Sequence, residues 1–176
     1  MMKMITVVCG PESSGSRWVA RACAQALGIA GYGDWDGHGH RSAIDRAVVH
    51  LSLPNGSVAS GARAFIRDPF AYARDQVGWG DARFTPMIIT LRAHAWMFES
   101  KVRTHQPDRQ AAFIEQEDAL DLCDFFFADY NGIAAQYETL VDSPSAGFAE
   151  LFRAIGAPAD APLPPVVDGN AKYRDA

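Results

Sequence analysis

The chain has little lysine and no paired cysteines. Of its 16 basic residues only Lys3, Lys101 and Lys172 are lysines, so an anion bound here must be held mainly by Arg forks and backbone amides. Cys9, Cys23 and Cys123 form no CxxC pair and are odd in number. That argues against a disulfide framework or a structural zinc site and fits reduced thiols in the cytoplasm. No apolar run approaches the length of a membrane span, and MMKMITVVCG is too short to be a signal segment before Gly10 and Pro11 intervene. Positive charge is not in excess either. A net charge of -5 argues against a general electrostatic grip on nucleic acid or an anionic membrane, so any polyanion must be held locally. With 176 residues, 48% hydrophobic and 21% charged, the composition is that of one globular domain.

Residues 4–9, MITVVC, are a continuous apolar, β-branched run ending at glycine, which predicts a strand buried on both faces of a parallel sheet. The loop GPESSG follows, and the segment from Ser16 to Leu27 predicts a helix stopped by Gly28. Glycine-rich residues 31–40 read as a surface loop. RAVVHLSL at 46–53 predicts a second strand ended by a turn at Pro54-Asn55-Gly56. A helix is expected to begin near Asp68-Pro69, because proline suits a first helical turn, and to be ended by Gly78 and Gly80. A third strand is predicted at 87–91, then helices from about Ala93 to His105 and from about Ala111 to Phe127. A short apolar piece at 133–137 and a helix at 145–155 complete the pattern. Repetition of βα predicts an α/β fold with a central parallel sheet flanked by helices, as one domain over 1–176. Prolines 158, 162, 164 and 165 predict an extended Pro-rich tail over 157–176.

Between a buried strand and a helix, the loop GPESSGSR at 10–17 offers successive backbone N–H groups and a positive helix terminus, the geometry that holds a phosphate. Against the Walker pattern G-x-x-x-x-G-K-[ST], Gly10 and Gly15 are correctly spaced. Ser16 stands at the lysine position and Arg17 at the magnesium-binding hydroxyl, which disfavours an ordinary ATPase or kinase. The alternative for this loop is a tight turn in which Ser acts as N-cap. Arg92 closes the third strand, and Ser100 lies eight residues on, about 2.2 turns along the next helix. A guanidinium fork and a hydroxyl placed that way can converge on one phosphate. Asp34, Asp36, His38 and His40 alternate in a glycine-rich stretch, which reads as a floppy loop rather than a metal site. Asn55-Gly56-Ser57 reads as a turn rather than a glycosylation site.

Taken together, the loop PESSGSRW at 11–18, the Arg92/Ser100 pair and QYETLVDSPSAGFAELFRAIGAP at 136–158 resemble the PAPS-dependent sulfotransferase family, whose donor is 3'-phosphoadenosine 5'-phosphosulfate. The three segments span nearly the whole chain in the family's order. The resemblance implies a three-layer P-loop NTPase-like fold and sulfuryl transfer from PAPS, with PAP as product, to a hydroxyl of a carbohydrate or small metabolite. It implies donor contacts by Ser13, Ser14, Gly15, Ser16 and Arg17 and by Arg92 and Ser100 at the 3'-phosphate. Lys172 and Arg174 in the tail would add positive charge. The implied general base is His50 in VVHLSLP, with His38 and His40 as competitors. The family's loop lysine is absent; Ser13 stands near its place, and the loop is one residue longer. Two rival readings are a divergent P-loop kinase, which would need magnesium, and a noncatalytic nucleotide- or glycan-binding module.

Overall fold

The computed structural model describes residues 2–34, 44–53, 66–166, 168 and 169. Six strands form one parallel sheet: β1 (Met4–Pro11), β2 (Gly33–Asp34), β3 (Arg46–Leu53), β4 (Arg83–Phe84), β5 (Ile88–Leu91) and β6 (Ile133–Gln136). Their order is β2-β3-β1-β5-β6, with β4 beside the start of β1. The break between β4 and β5 holds Pro86, which has no N–H to give a ladder. Thr85 keeps contact across it, its N–H donating to the Ile5 carbonyl at 3.1 Å.

Helices cover both faces. Alternate residues of the central strands point to opposite sides. Ile5, Val7, Cys9, Val49, Leu51 and Ile89 therefore pack under α2 (Pro69–Val77) and α4 (Arg109–Asp129), where Tyr72, Cys123 and Phe126 meet them. Val8, Val48 and Ile88 pack under α1 (Ser16–Ala26) and α6 (Pro144–Ala154), against Val19, Cys23, Phe148 and Leu151. The central strands read as unbroken apolar runs because both of their faces are buried.

Local signals set most helix ends. Asp68 caps α2, its carboxylate accepting from Phe70 N at 3.1 Å and Ala71 N at 2.9 Å, and Gly78 ends the helix at φ 71°. Asp108 does the same for α4, accepting from Gln110 N and Ala111 N, so that helix starts two residues before the expected Ala111. α3 (His94–Thr104) and α6 fall within a residue of expectation. A further helix, α5 (Tyr137–Asp142), directly follows β6 where the sequence suggested only the end of a short apolar piece. The turn expected at residues 54–57 lies outside the described residues. Residues 161–166 have no helix or strand, as their prolines require, but they are tied down: Trp18 Nε1 donates to the Pro165 carbonyl at 3.2 Å.

Candidate functional site

The site forms at the carboxyl ends of β1, β3 and β5. Strand register explains which residues meet there. β1 pairs with β3 so that Val8 faces His50 and Gly10 faces Ser52, which brings both β3 side chains level with the loop after β1. β5 pairs with β6 with Leu91 opposite Gln136. The next residues, Arg92 and Tyr137, consequently stack, with the guanidinium carbon 4.9 Å from the ring centroid. One step further, the Glu138 carboxylate accepts from Ala93 N at 3.0 Å, at the start of α3.

The loop from Pro11 to Ser16 is held from inside. Ser14 N–H donates to the Pro11 carbonyl at 3.0 Å, and Ser13 adopts φ 67°. Ser14 is buried, its hydroxyl 2.7 Å from that of Thr90, which in turn donates to the Cys9 carbonyl at 3.2 Å. Arg92 Nη1 donates to the Ser13 carbonyl at 2.9 Å. Gly10 admits this close approach, since a Cβ there would overlap the Thr90 hydroxyl. Gly15, at φ 91°, is the N-cap of α1; a Cβ on it would lie 2.6 Å from the Tyr137 ring. No side chain caps α1. The alternative of a serine cap is thus replaced by glycine, because Ser16 is engaged elsewhere: its hydroxyl lies 2.9 Å from His50 Nε2.

A cavity of about 380 Å³ opens over this loop. Ser13, Gly15, Ser16 and Arg17 line it from the loop side, and Ser52 from β3. Glu12 and His105 also line it. Of the residues expected at the donor, four therefore share this cavity. Ser14 turns inward to Thr90 instead, and Arg92 reaches the loop from behind through the Ser13 carbonyl. Ser100 is nearly buried two turns inside α3, and its carbonyl accepts from Thr104 Oγ1 at 2.6 Å. His50 is fully buried, edge-on to Tyr32, and touches Ser16 of the cavity wall. Lys172, Arg174, Asp36, His38 and His40 lie outside the described residues.

Sequence reasoning passed over several residues that the fold brings here. Lys101, beside Ser100 on α3, is 2% exposed; its Nζ lies 3.0 Å from a Glu115 oxygen and 3.6 Å from a Glu12 oxygen of the loop. Gln106 Nε2 donates to the other Glu115 oxygen at 3.3 Å. Tyr137 joins the loop to the tail: its hydroxyl accepts from Gly169 N at 2.7 Å, and its ring meets Trp18 edge-on at 5.6 Å. Of these, Tyr137 alone had a sequence signal, within the Tyr-Glu-x-Leu segment.

Burial also fixes what the cysteines can do. It pushes the Cys23 and Cys123 thiols up to about 12, and Cys9 well above its ordinary range. None of the three is a thiolate nucleophile at neutral pH. Among the described residues no group of His, Cys, Asp or Glu could hold a metal ion, and no helix is long and apolar enough to cross a membrane. No protein-family model and no curated protein matches the chain.

Proposed function

We propose that this chain is a P-loop-type α/β enzyme that transfers a sulfuryl group from PAPS to a hydroxyl of a carbohydrate or small metabolite. The observation that carries the reading is the joining of Arg92 to the loop through the Ser13 carbonyl. It sets the strand-end arginine and the loop–helix anion site at a fixed spacing, as a donor with phosphates at both ends requires. An Arg has five N–H donors in a planar fork, so the bond to the Ser13 carbonyl does not by itself preclude a bond to a phosphate. Gly15, the first N–H groups of α1 and Arg17 suit the 5'-phosphate end.

The donor supplies an activated sulfuryl group, and the chain supplies position and charge. Loop amides, Ser16 and Arg17 stabilise negative charge as it develops on the leaving phosphate. His50, behind Ser16, acts through that hydroxyl: its Nε2 lies 2.9 Å from Ser16 Oγ and fixes the orientation of the hydroxyl at the cavity wall. In this role His50 is a positioning residue.

A magnesium-dependent kinase is the rival enzyme reading, and Ser16 and Arg17 at the lysine and hydroxyl positions speak against it. A noncatalytic binding module would bind PAP without transferring sulfur. Incubation with radiolabelled PAPS, with EDTA or with magnesium, tests the proposal. Label appearing on an acceptor in EDTA is expected, whereas transfer that requires magnesium and ATP would replace the reading with a kinase.

A further inference from the structure

The loop that offers an anion its amides also carries a carboxylate into the same cavity. Among the described residues Glu12 is the only carboxylate on that wall, and Arg17 flanks the loop at its other end. A negative group beside an anion site is locally unfavourable, and departures of that kind concentrate where function requires them. Glu12 is also deliberately placed. Lys101 holds it at 3.6 Å, and Lys101 is itself pinned at 3.0 Å by Glu115 of α4. Lys101 and Glu115 bridge α3 and α4, and Glu12 adds the loop to that bridge. Burying an ion pair is costly in desolvation, yet this one extends to a loop residue that lines the cavity.

We propose that Glu12 is the general base that activates the acceptor hydroxyl, with Lys101 as the residue that positions it. This rests on the sulfuryl-transfer reading above. A carboxylate has about four acceptor sites, so a Glu12 held by Lys101 can still receive an O–H from a substrate. As the acceptor oxygen forms its bond to sulfur, the bond from sulfur to the bridging oxygen breaks and its electron pair goes to the 5'-phosphate of the departing PAP. The acceptor proton passes to a Glu12 oxygen and later to water. The assignment leaves His50 and Ser16 on the leaving-group side and gives the two ends of the loop opposite duties. It favours neutral or cationic hydroxyl acceptors, because an anionic acceptor would meet the Glu12 carboxylate.

Glu12→Gln keeps the shape and removes the base, while Lys101 remains paired with Glu115. Wild type and variant are compared by PAP calorimetry and by transfer from PAPS to two probes at pH 8: methyl glucoside, whose hydroxyl is protonated, and 4-nitrophenol, which is already largely ionised. The expected result is PAP affinity equal to wild type or tighter, transfer to methyl glucoside reduced about 10²–10⁴-fold, and transfer to 4-nitrophenol undiminished or faster, since its phenolate needs no base and no longer meets a carboxylate. Equal losses with both probes, no loss with either, or weakened PAP binding in the variant would overturn the assignment. A wild-type chain that binds PAP but transfers to neither probe overturns it as well, with the donor site left standing. Absence of PAP binding by wild type removes the underlying reading and this inference together.

Discussion

Arg92 donates from Nη1 to the carbonyl of Ser13 at 2.9 Å while its guanidinium lies 4.9 Å from the Tyr137 ring centroid. One side chain thus joins the end of β5, the loop after β1 and the start of α5. Because Ser13 sits at φ 67°, its carbonyl direction is set by the loop rather than by a regular ladder. Arg92→Ala should therefore act twice. It removes a charge-assisted bond of about 1.5–3 kcal/mol, visible as a lower urea midpoint, and it abolishes any preference for a nucleotide bearing a 3'-phosphate. Arg92→Ala retaining that preference would place the 3'-phosphate elsewhere.

Two glycines with positive φ separate backbone strain from collision. Gly28 at φ 69° has open space where a Cβ would go, whereas at Gly15 it would strike Tyr137. Gly28→Ala should cost only the left-handed backbone penalty, about 1 kcal/mol. Gly15→Ala should cost more, and should also displace Tyr137 from Arg92 and Gly169. Comparing their denaturation curves and PAP affinities checks this; equal effects on both quantities would mean that Tyr137 moves aside at no cost.

Lys101→Met leaves Glu12 and Glu115 without their shared cation. Removing one partner of a buried pair costs about 3–5 kcal/mol, and the loss should appear as a marked drop in thermal midpoint. The double variant with Glu115→Leu should recover part of it, since the deeper carboxylate is then gone too. No recovery would show that the cost of Lys101→Met does not lie in the stranded Glu115 carboxylate.

The thiols give a pH signature. Cys23 and Cys123 are raised to about 12 in the fold against an ordinary value of about 9. A group whose folded value is raised keeps its full stabilising effect below the unfolded value and loses it as pH rises toward the folded one. Stability should be insensitive to these thiols below pH 9. Between pH 9 and 12 it should fall by about 1.4 kcal/mol per pH unit per thiol. Thiol reagents at pH 8 should label the native chain only as fast as it unfolds; rapid labelling of Cys23 would contradict its burial.

How legible this was depended on sequence distance. The β1–loop–α1 unit could be read directly, since an unbroken apolar run and two spaced glycines are adjacent signals. Asp68, Pro69 and Gly78 marked α2 in the same way. β2 and β4 are two residues each, too short for any period to register. α5 was hidden because YETLVD follows β6 with no intervening turn residue. His50 was expected as the general base, and its full burial follows from the packing of helices over both faces of β3. Its partner Ser16 depends on strand register, which no local pattern encodes. Lys101 and Glu12 are the extreme case: each resembles a solvated charge in sequence, and only the packing of α3 beside the loop brings them together.

The most direct measurement of the central claim is calorimetric titration of the wild-type chain with adenosine 3',5'-bisphosphate, AMP and ADP under one buffer condition. A donor site built from the loop and from Arg92 with Ser100 predicts that the 3',5'-bisphosphate binds about ten- to a hundredfold tighter than the other two, the equivalent of one charge-assisted phosphate contact. Equal affinity for all three nucleotides, or tightest binding of ADP, would contradict the account.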